Sequence, residues 1–148
     1  MGVYDRILVP VEGTETDGPV LDHIAELAGM CGAEVTLLRV AHYHTRDERA
    51  CELEDAEGDL ERAAELLRSR GVTVHAVMVH GEPAEAILHK AAELKPDLIA
   101  MATHGHGWAK RIVLGSVADH VRHNSDVPLL LIKSRATERA GRPLAAGG

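Results

Sequence analysis

The sequence predicts an α/β fold: a doubly wound, five-stranded parallel sheet with helices on both faces. Three observations support this prediction. Short apolar runs alternate with segments of helical periodicity, glycine or proline separates most of these segments, and several runs are apolar almost throughout. A regular alternation of strand and helix forms right-handed βαβ units, and these place their strands side by side in a parallel sheet.

Five segments have the short apolar or alternating pattern that is typical of strands. The first of them ends at a turn that contains Gly13. The predicted strands are Arg6–Val11, Glu34–Val40, Val72–Val79, Leu98–Ala102 and Val127–Ile132. The first, fourth and fifth are almost continuously apolar, so we expect them to be buried on both faces of the sheet.

Four segments between these strands have apolar residues at helical spacing. In the first, Val20, Ile24 and Leu27 recur on one face of a helix. Gly32 marks the end of that helix, and Pro83 marks the start of the third, positions at which these residue types are common. The first predicted helix has its apolar face at Val20–Cys31 and Pro19 in its first turn, and the other three are Thr45–Arg70, Pro83–Leu94 and Ser116–His123.

The composition limits the classes of function. The chain has 148 residues, of which 45% are apolar and only 2% aromatic, so one domain with an aliphatic core is expected. Its net charge of −7 argues against binding to nucleic acid, which requires a basic face. We find neither a membrane-spanning apolar run nor a signal segment, and therefore expect a cytoplasmic protein with no membrane partner.

The predicted domain covers residues 1–133, and the glycine- and proline-containing stretch 134–148 is expected to be a disordered tail. Cys31 and Cys51 have neither a CxxC spacing nor the spacing of metal ligands. The ten histidines include no HExxH pattern. The sequence therefore predicts no protein-bound metal site.

Two loops are candidates for a ligand site, because ligands of open α/β sheets bind beyond the carboxyl ends of the strands. One is Val9 to Glu12 and the other is Ala102 to Ser116. Glycine lets a backbone approach an anion closely, and the free N–H groups of a helix start point at it. The second loop therefore suggests a phosphate site, although Ser116 also suits a plain helix cap. Walker A and dinucleotide-binding patterns are absent from both loops.

The second loop has a distinctive spacing, Ala102-x2-Gly105-x9-Gly115-Ser116. The chain resembles the ATP-binding branch of the universal stress protein family, whose motif is G-x2-G-x9-G-[ST]. The resemblance also includes Arg6–Val11, Gly81–Pro83, Asp97–Gly105, Leu114–Val117 and Val127–Ile132. It implies an adenine nucleotide alpha hydrolase-like fold with strand order 3-2-1-4-5.

The resemblance implies that the chain binds ATP together with Mg²⁺. The backbone of the first strand and Val40 would hold adenine, and Glu12 would contact the nucleoside. Met101 and Ala102 would line the sugar and the α-phosphate, and Gly105 would bend the loop. Gly115, Ser116 and Val117 would present N–H groups and a hydroxyl to the phosphates. The candidate binding residues are Val9, Pro10, Val11, Glu12, Val40, Met101, Ala102, Gly105, His106, Gly115, Ser116 and Val117.

Two residues depart from the family pattern. Ala102 replaces the first glycine of the motif, and Glu12 replaces the usual aspartate. One alternative is therefore a stress adaptor of the same fold that does not bind nucleotide. Another is a slow ATPase or an autophosphorylating protein. The sequence lacks an assignable general base or magnesium carboxylate, so we expect a binding protein rather than an enzyme.

The last predicted strand, Val127–Ile132, is expected at an edge of the sheet, where an apolar strand favours pairing with another chain. The resemblance likewise implies a homodimer formed by antiparallel pairing of this strand. We further hypothesise that ATP orders residues 102–116 and thereby changes a surface that a protein partner recognises.

Overall fold

The computed structural model describes residues 3–42, 45–103 and 116–133. Strands and helices alternate along these residues, in the order and of the types that the sequence predicts. The elements are β1 (Arg6–Val11), α1 (Asp17–Cys31), β2 (Glu34–Ala41), α2 (Arg46–Ser69), β3 (Thr73–His80), α3 (Pro83–Leu94), β4 (Leu98–Thr103), α4 (Ser116–Asn124) and β5 (Leu129–Lys133).

The strands form one parallel sheet in the order β3-β2-β1-β4-β5. This confirms the predicted fold class and the expected position of the last strand at an edge. β1 lies at the centre, with β2 on one side and β4 on the other. The strand order runs from β1 to β3 on one side of β1 and continues with β4 and β5 on the other. The order therefore reverses between β1 and β4, and the carboxyl ends of these two strands flank a crevice.

Local signals explain several helix ends. Thr45 precedes α2, and its hydroxyl accepts a hydrogen bond from the backbone N–H of Glu48 at 3.2 Å. After α1, Gly32 adopts a φ of 68°, and its N–H donates to the carbonyl of Ala28. α1 begins at Asp17, three residues before Val20, the first apolar residue of its periodic face. Asp17, Gly18 and Pro19 precede that face in the first turn.

Two apolar layers cover the sheet. Ile7, Val9 and Val11 of β1 face α1 and α2, whereas Leu8 faces the layer that includes Ile87 of α3. No helix of the described residues is both long and apolar enough for a transmembrane segment.

β1 and β4 are buried as predicted, but the expectation that the fifth strand is buried on both faces is wrong for the single chain. Leu129 to Ile132 are half-buried, and Lys133 is exposed. The reason is that β5 is an edge strand, and among the described residues it pairs with β4 alone. Its apolar residues therefore lie against the core without being enclosed by it.

Candidate functional site

A cavity of about 380 Å³ lies at the carboxyl ends of β1, β2 and β4. The first turns of α1, α3 and α4 complete its walls. Its volume falls in the usual range of small-molecule sites, and its position is the one that doubly wound sheets use for ligands. The lining residues are Pro10, Val11, Glu12, Thr14, Asp17, Leu38, Arg39, Val40, His42, Pro83, Ile87, Met101, Ala102, Val117 and Ala118.

Most of the predicted site residues meet in this cavity. Those that line it are Pro10, Val11, Glu12, Val40, Met101, Ala102 and Val117. Val9 is fully buried, and its side chain belongs to the layer under α1 and α2. Ser116 is exposed at the first position of α4, beside Val117. Gly105, His106 and Gly115 lie outside the described residues.

One wall of the cavity is aliphatic. Val40, Ile87 and Met101 line it, and all three belong to the apolar layer under α3 and α4. An aliphatic wall suits the flat, apolar face of a heterocyclic ring. Ala102 is half-buried and packs against the opposite layer, under α1 and α2. The side chains of Ala102 and Met101 therefore pack against opposite apolar layers of the sheet.

The turn after β1 brings two carboxylates to the cavity, Glu12 and Asp17. The backbone N–H of Glu12 donates to both carboxylate oxygens of Asp17, at 3.0 and 3.1 Å, and the N–H of Gly13 donates at 2.6 Å. Burial raises the pKa of Asp17, and the charge of Glu12 raises it further, while these backbone hydrogen bonds act in the opposite direction.

Sequence reasoning did not identify Asp17 as a site residue. One signal was available, because an acidic residue in the first turn of a helix is favoured by the helix dipole. That signal indicates a helix start but does not show which backbone groups the carboxylate reaches.

Arg39 is a second lining residue that sequence reasoning missed. Its side chain is only 13% exposed and forms ion pairs with two carboxylates of α2, Glu52 at 3.1 Å and Asp59 at 3.4 Å. It also donates to the carbonyl of Val40 at 2.6 Å. Asp59 in turn pairs with Arg62 at 2.6 Å. These contacts attach α2 to the cavity wall and offset the charge of Arg39.

Gly13 packs directly against this ion-pair network. A Cβ atom at this position would lie 2.0 Å from Oδ2 of Asp59, and the backbone has a φ of 80°. Both facts favour glycine, which has no Cβ and adopts positive φ readily. The turn after β1 is therefore held between Asp17 on one side and Asp59 on the other.

His42 joins the ends of two neighbouring strands beside the cavity. Its Nδ1 donates to the carbonyl of Gly81 at 3.3 Å, and the N–H of Gly81 donates to the carbonyl of Ala41 at 3.2 Å. The described residues contain no group of three or more histidine, cysteine or acidic side chains that could hold a metal ion.

Fold and cavity together define an α/β protein with a cavity of small-molecule size at the carboxyl edge of its sheet. A sequence profile of the Universal stress protein family matches residues 3–133. The universal stress protein MJ0531 of Methanocaldococcus jannaschii is 30% identical over 146 residues, covering 92% of this chain and 86% of the relative. The chain belongs to the universal stress protein family, which confirms the resemblance found in the sequence.

Two solved structures extend this comparison. The structure of MJ0577, a universal stress protein of M. jannaschii, has a TM-score of 0.74 at 31% identity, over 88% of this chain and 96% of that one. A universal stress protein from Archaeoglobus fulgidus in complex with dAMP has a TM-score of 0.71 at 25% identity. That match covers 88% of this chain and 99% of the other.

Proposed function

We propose that this protein binds ATP in the cavity at the carboxyl ends of β1, β2 and β4, and that it acts as a nucleotide-dependent regulator in the stress response. The observation that best supports this is the meeting of most of the predicted binding residues in one cavity. The complex of the A. fulgidus relative with dAMP supports an adenine nucleotide as the ligand.

In this proposal the aliphatic wall accepts the adenine ring. Val40 and the backbone of Val9, Pro10 and Val11 hold the base, and Glu12 lies beside the nucleoside. Met101 and Ala102 line the sugar and the α-phosphate. The phosphates extend toward the start of α4, where Ser116 and Val117 offer backbone N–H groups. Gly105, His106 and Gly115 complete this assignment, outside the described residues.

Mg²⁺ fits this proposal as part of the nucleotide complex. The ion prefers oxygen ligands and commonly binds through substrate phosphates with few protein carboxylates. The cavity wall contains the carboxylates of Glu12 and Asp17. Both oxygens of Asp17 already accept backbone hydrogen bonds, which leaves Glu12 as the carboxylate closer to the proposed nucleoside. Mg²⁺ would therefore be bound mainly by the phosphates and water.

We further propose that the protein is a cytoplasmic homodimer without nucleic-acid or membrane partners. The net charge of −7 disfavours nucleic acid. β5 is an edge strand whose Leu130 and Ile132 are half-buried, so antiparallel pairing with the β5 of a second copy would cover them. A change in residues 102–116 on ATP binding would signal the nucleotide state to a protein partner.

Isothermal titration calorimetry with ATP, ADP and AMP tests the binding proposal. We expect one ATP to bind per chain, and native mass spectrometry should show the same stoichiometry. A matched pair of variants locates the site: Val117→Trp enlarges a residue of the cavity wall, and Val77→Trp enlarges a half-buried valine of β3 that does not line it. ATP binding should weaken only in the first variant.

Absence of heat with all three nucleotides would instead support the alternative of a stress adaptor that does not bind nucleotide. Release of inorganic phosphate during the titration would support the ATPase alternative. Equal weakening of ATP binding by both tryptophan variants would contradict the location of the site.

A further inference from the structure

The turn that joins β1 to α1 is organised around the side chain of Asp17. This residue begins α1, yet its carboxylate points back and accepts the N–H groups of Glu12 and Gly13. The Gly13 contact is 2.6 Å, shorter than most N–H···O hydrogen bonds in proteins. Hydrogen bonds to an ionised acceptor are stronger than those between neutral groups, so this arrangement fixes the local backbone.

Glu12 is therefore anchored from both directions. On its N-terminal side, Val11 belongs to β1 and is paired in register with Arg39 of β2. On its C-terminal side, Asp17 holds the N–H groups of residues 12 and 13. Since the backbone is fixed on both sides, the direction in which the Glu12 side chain leaves the chain is also fixed.

The partial burial of the ionised Asp17 carboxylate lowers the free energy of unfolding. The carboxylate is partly buried beside the cavity, and burial together with the charge of Glu12 raises its pKa. By contrast, Asp59 packs on the other side of Gly13 and is paired with Arg39 and Arg62. A carboxylate that lines a cavity and whose pKa is shifted by burial and by a neighbouring charge is a candidate for a functional residue.

We propose that Asp17 is a positioning residue of the nucleotide site, and that it directs the Glu12 carboxylate toward the sugar hydroxyls of the bound nucleotide. This inference rests on the nucleotide binding proposed above. An ionised carboxylate only accepts hydrogen bonds, and sugar hydroxyls donate them. The pair of acidic residues thus makes this end of the cavity selective for a nucleotide that has its sugar hydroxyls.

The test compares ATP with 2′,3′-dideoxy-ATP, which lacks both hydroxyls, by calorimetry. The variants are Asp17→Asn, Glu12→Gln and the double variant. Asp22→Asn is the matched control, because Asp22 lies on the same helix, is 72% exposed and pairs with Arg70 outside the cavity. Thermal unfolding of each variant is measured in parallel.

We expect the wild type and the control to prefer ATP by about tenfold, the effect of one hydrogen bond to a charged group. Asp17→Asn and Glu12→Gln should each abolish this preference while changing the affinity for dideoxy-ATP much less. The double variant should be no worse than either single variant, because both substitutions remove the same interaction.

Several outcomes would overturn the inference. If Asp17→Asn weakens both ligands equally and keeps the preference, Asp17 has only a structural role. If the wild type binds both ligands equally, Glu12 does not contact the sugar, although nucleotide binding stands. Failure of the wild type to bind either ligand would refute the proposed function itself.

A second variant covers a failure of Asp17→Asn to fold. Asp17→Ser keeps one acceptor oxygen and is well tolerated near a helix start. Like asparagine, serine offers a single neutral acceptor in place of the two-oxygen anion, so Asp17→Ser should lose the preference for ATP as Asp17→Asn does. Loss of the preference in Glu12→Gln with full retention in Asp17→Ser would also contradict a positioning role.

Discussion

Replacing Gly13 by alanine is expected to destabilise the protein, and the size of the effect follows from two separate features of the turn after β1. The backbone has a φ of 80°, and the left-handed conformation costs an alanine about 1–2 kcal/mol relative to glycine. The new Cβ would also lie 2.0 Å from Oδ2 and 2.4 Å from Cγ of Asp59.

Asp59 cannot move away without a loss of contacts. It is only 13% exposed and pairs with Arg39 and Arg62. Overpacking of this kind typically costs a further 1–3 kcal/mol. The expected total is therefore about 2–5 kcal/mol in the free energy of unfolding.

Urea denaturation at pH 7 measures this effect, and Gly32→Ala is the matched control. Gly32 has a φ of 68°, but a Cβ there would meet nothing within 4 Å. The control should therefore lose only the backbone contribution, about 1–2 kcal/mol. Gly13→Ala combined with Asp59→Ala should be less destabilised than the sum of the two single variants, because the second substitution removes the clash. If Gly13→Ala and Gly32→Ala are equally destabilised, the contact with Asp59 does not restrict the turn.

Three further predictions concern the pH dependence of stability, the alanine that replaces the first glycine of the motif, and the edge strand β5. Because the pKa of Asp17 is raised above its ordinary value of 3.8, its contribution to stability is fully present below that value and is lost as the pH rises through the raised pKa. Urea unfolding, measured from below pH 3.8 to neutral pH, should show the free energy of unfolding of the wild type falling relative to that of Asp17→Asn. A constant difference between the two proteins would contradict a raised pKa of Asp17. Ala102→Gly restores the first glycine of the motif, and calorimetry should show ATP binding that is about 5- to 150-fold tighter, since overfilling a close contact costs roughly 1–3 kcal/mol; unchanged or weaker binding would mean that the methyl group does not limit the site. Ile132→Glu places a charge on the half-buried edge strand, so sedimentation should show a dimeric wild type and a monomeric variant; an unchanged dimer would place the interface elsewhere.

The periodic elements of the fold were predictable from the sequence because their signals are local. The apolar run of β1 and the proline at the start of α3 each identify an element within a few residues. Alternation of strands and helices then predicts a parallel sheet. The strand order required the family resemblance, since spacing alone does not fix which strands are neighbours.

The polar part of the cavity was harder to predict, because its contacts join residues that are separated in the chain. Arg39 interacts with Glu52 and Asp59, which lie 13 and 20 residues further along the chain. A single arginine within an apolar strand does not identify these partners. The partial exposure of β5 likewise depends on the position of the strand in the sheet, whereas its apolar sequence resembles that of a central strand.

A crystal structure of the full chain grown with ATP and Mg²⁺ would show whether and where the nucleotide binds. We expect one nucleotide per chain, with adenine against Val40 and the aliphatic wall, the sugar beside Glu12, and the phosphates at the start of α4. An empty cavity at saturating ATP, or a nucleotide bound elsewhere on the chain, would refute nucleotide binding at the carboxyl ends of β1, β2 and β4.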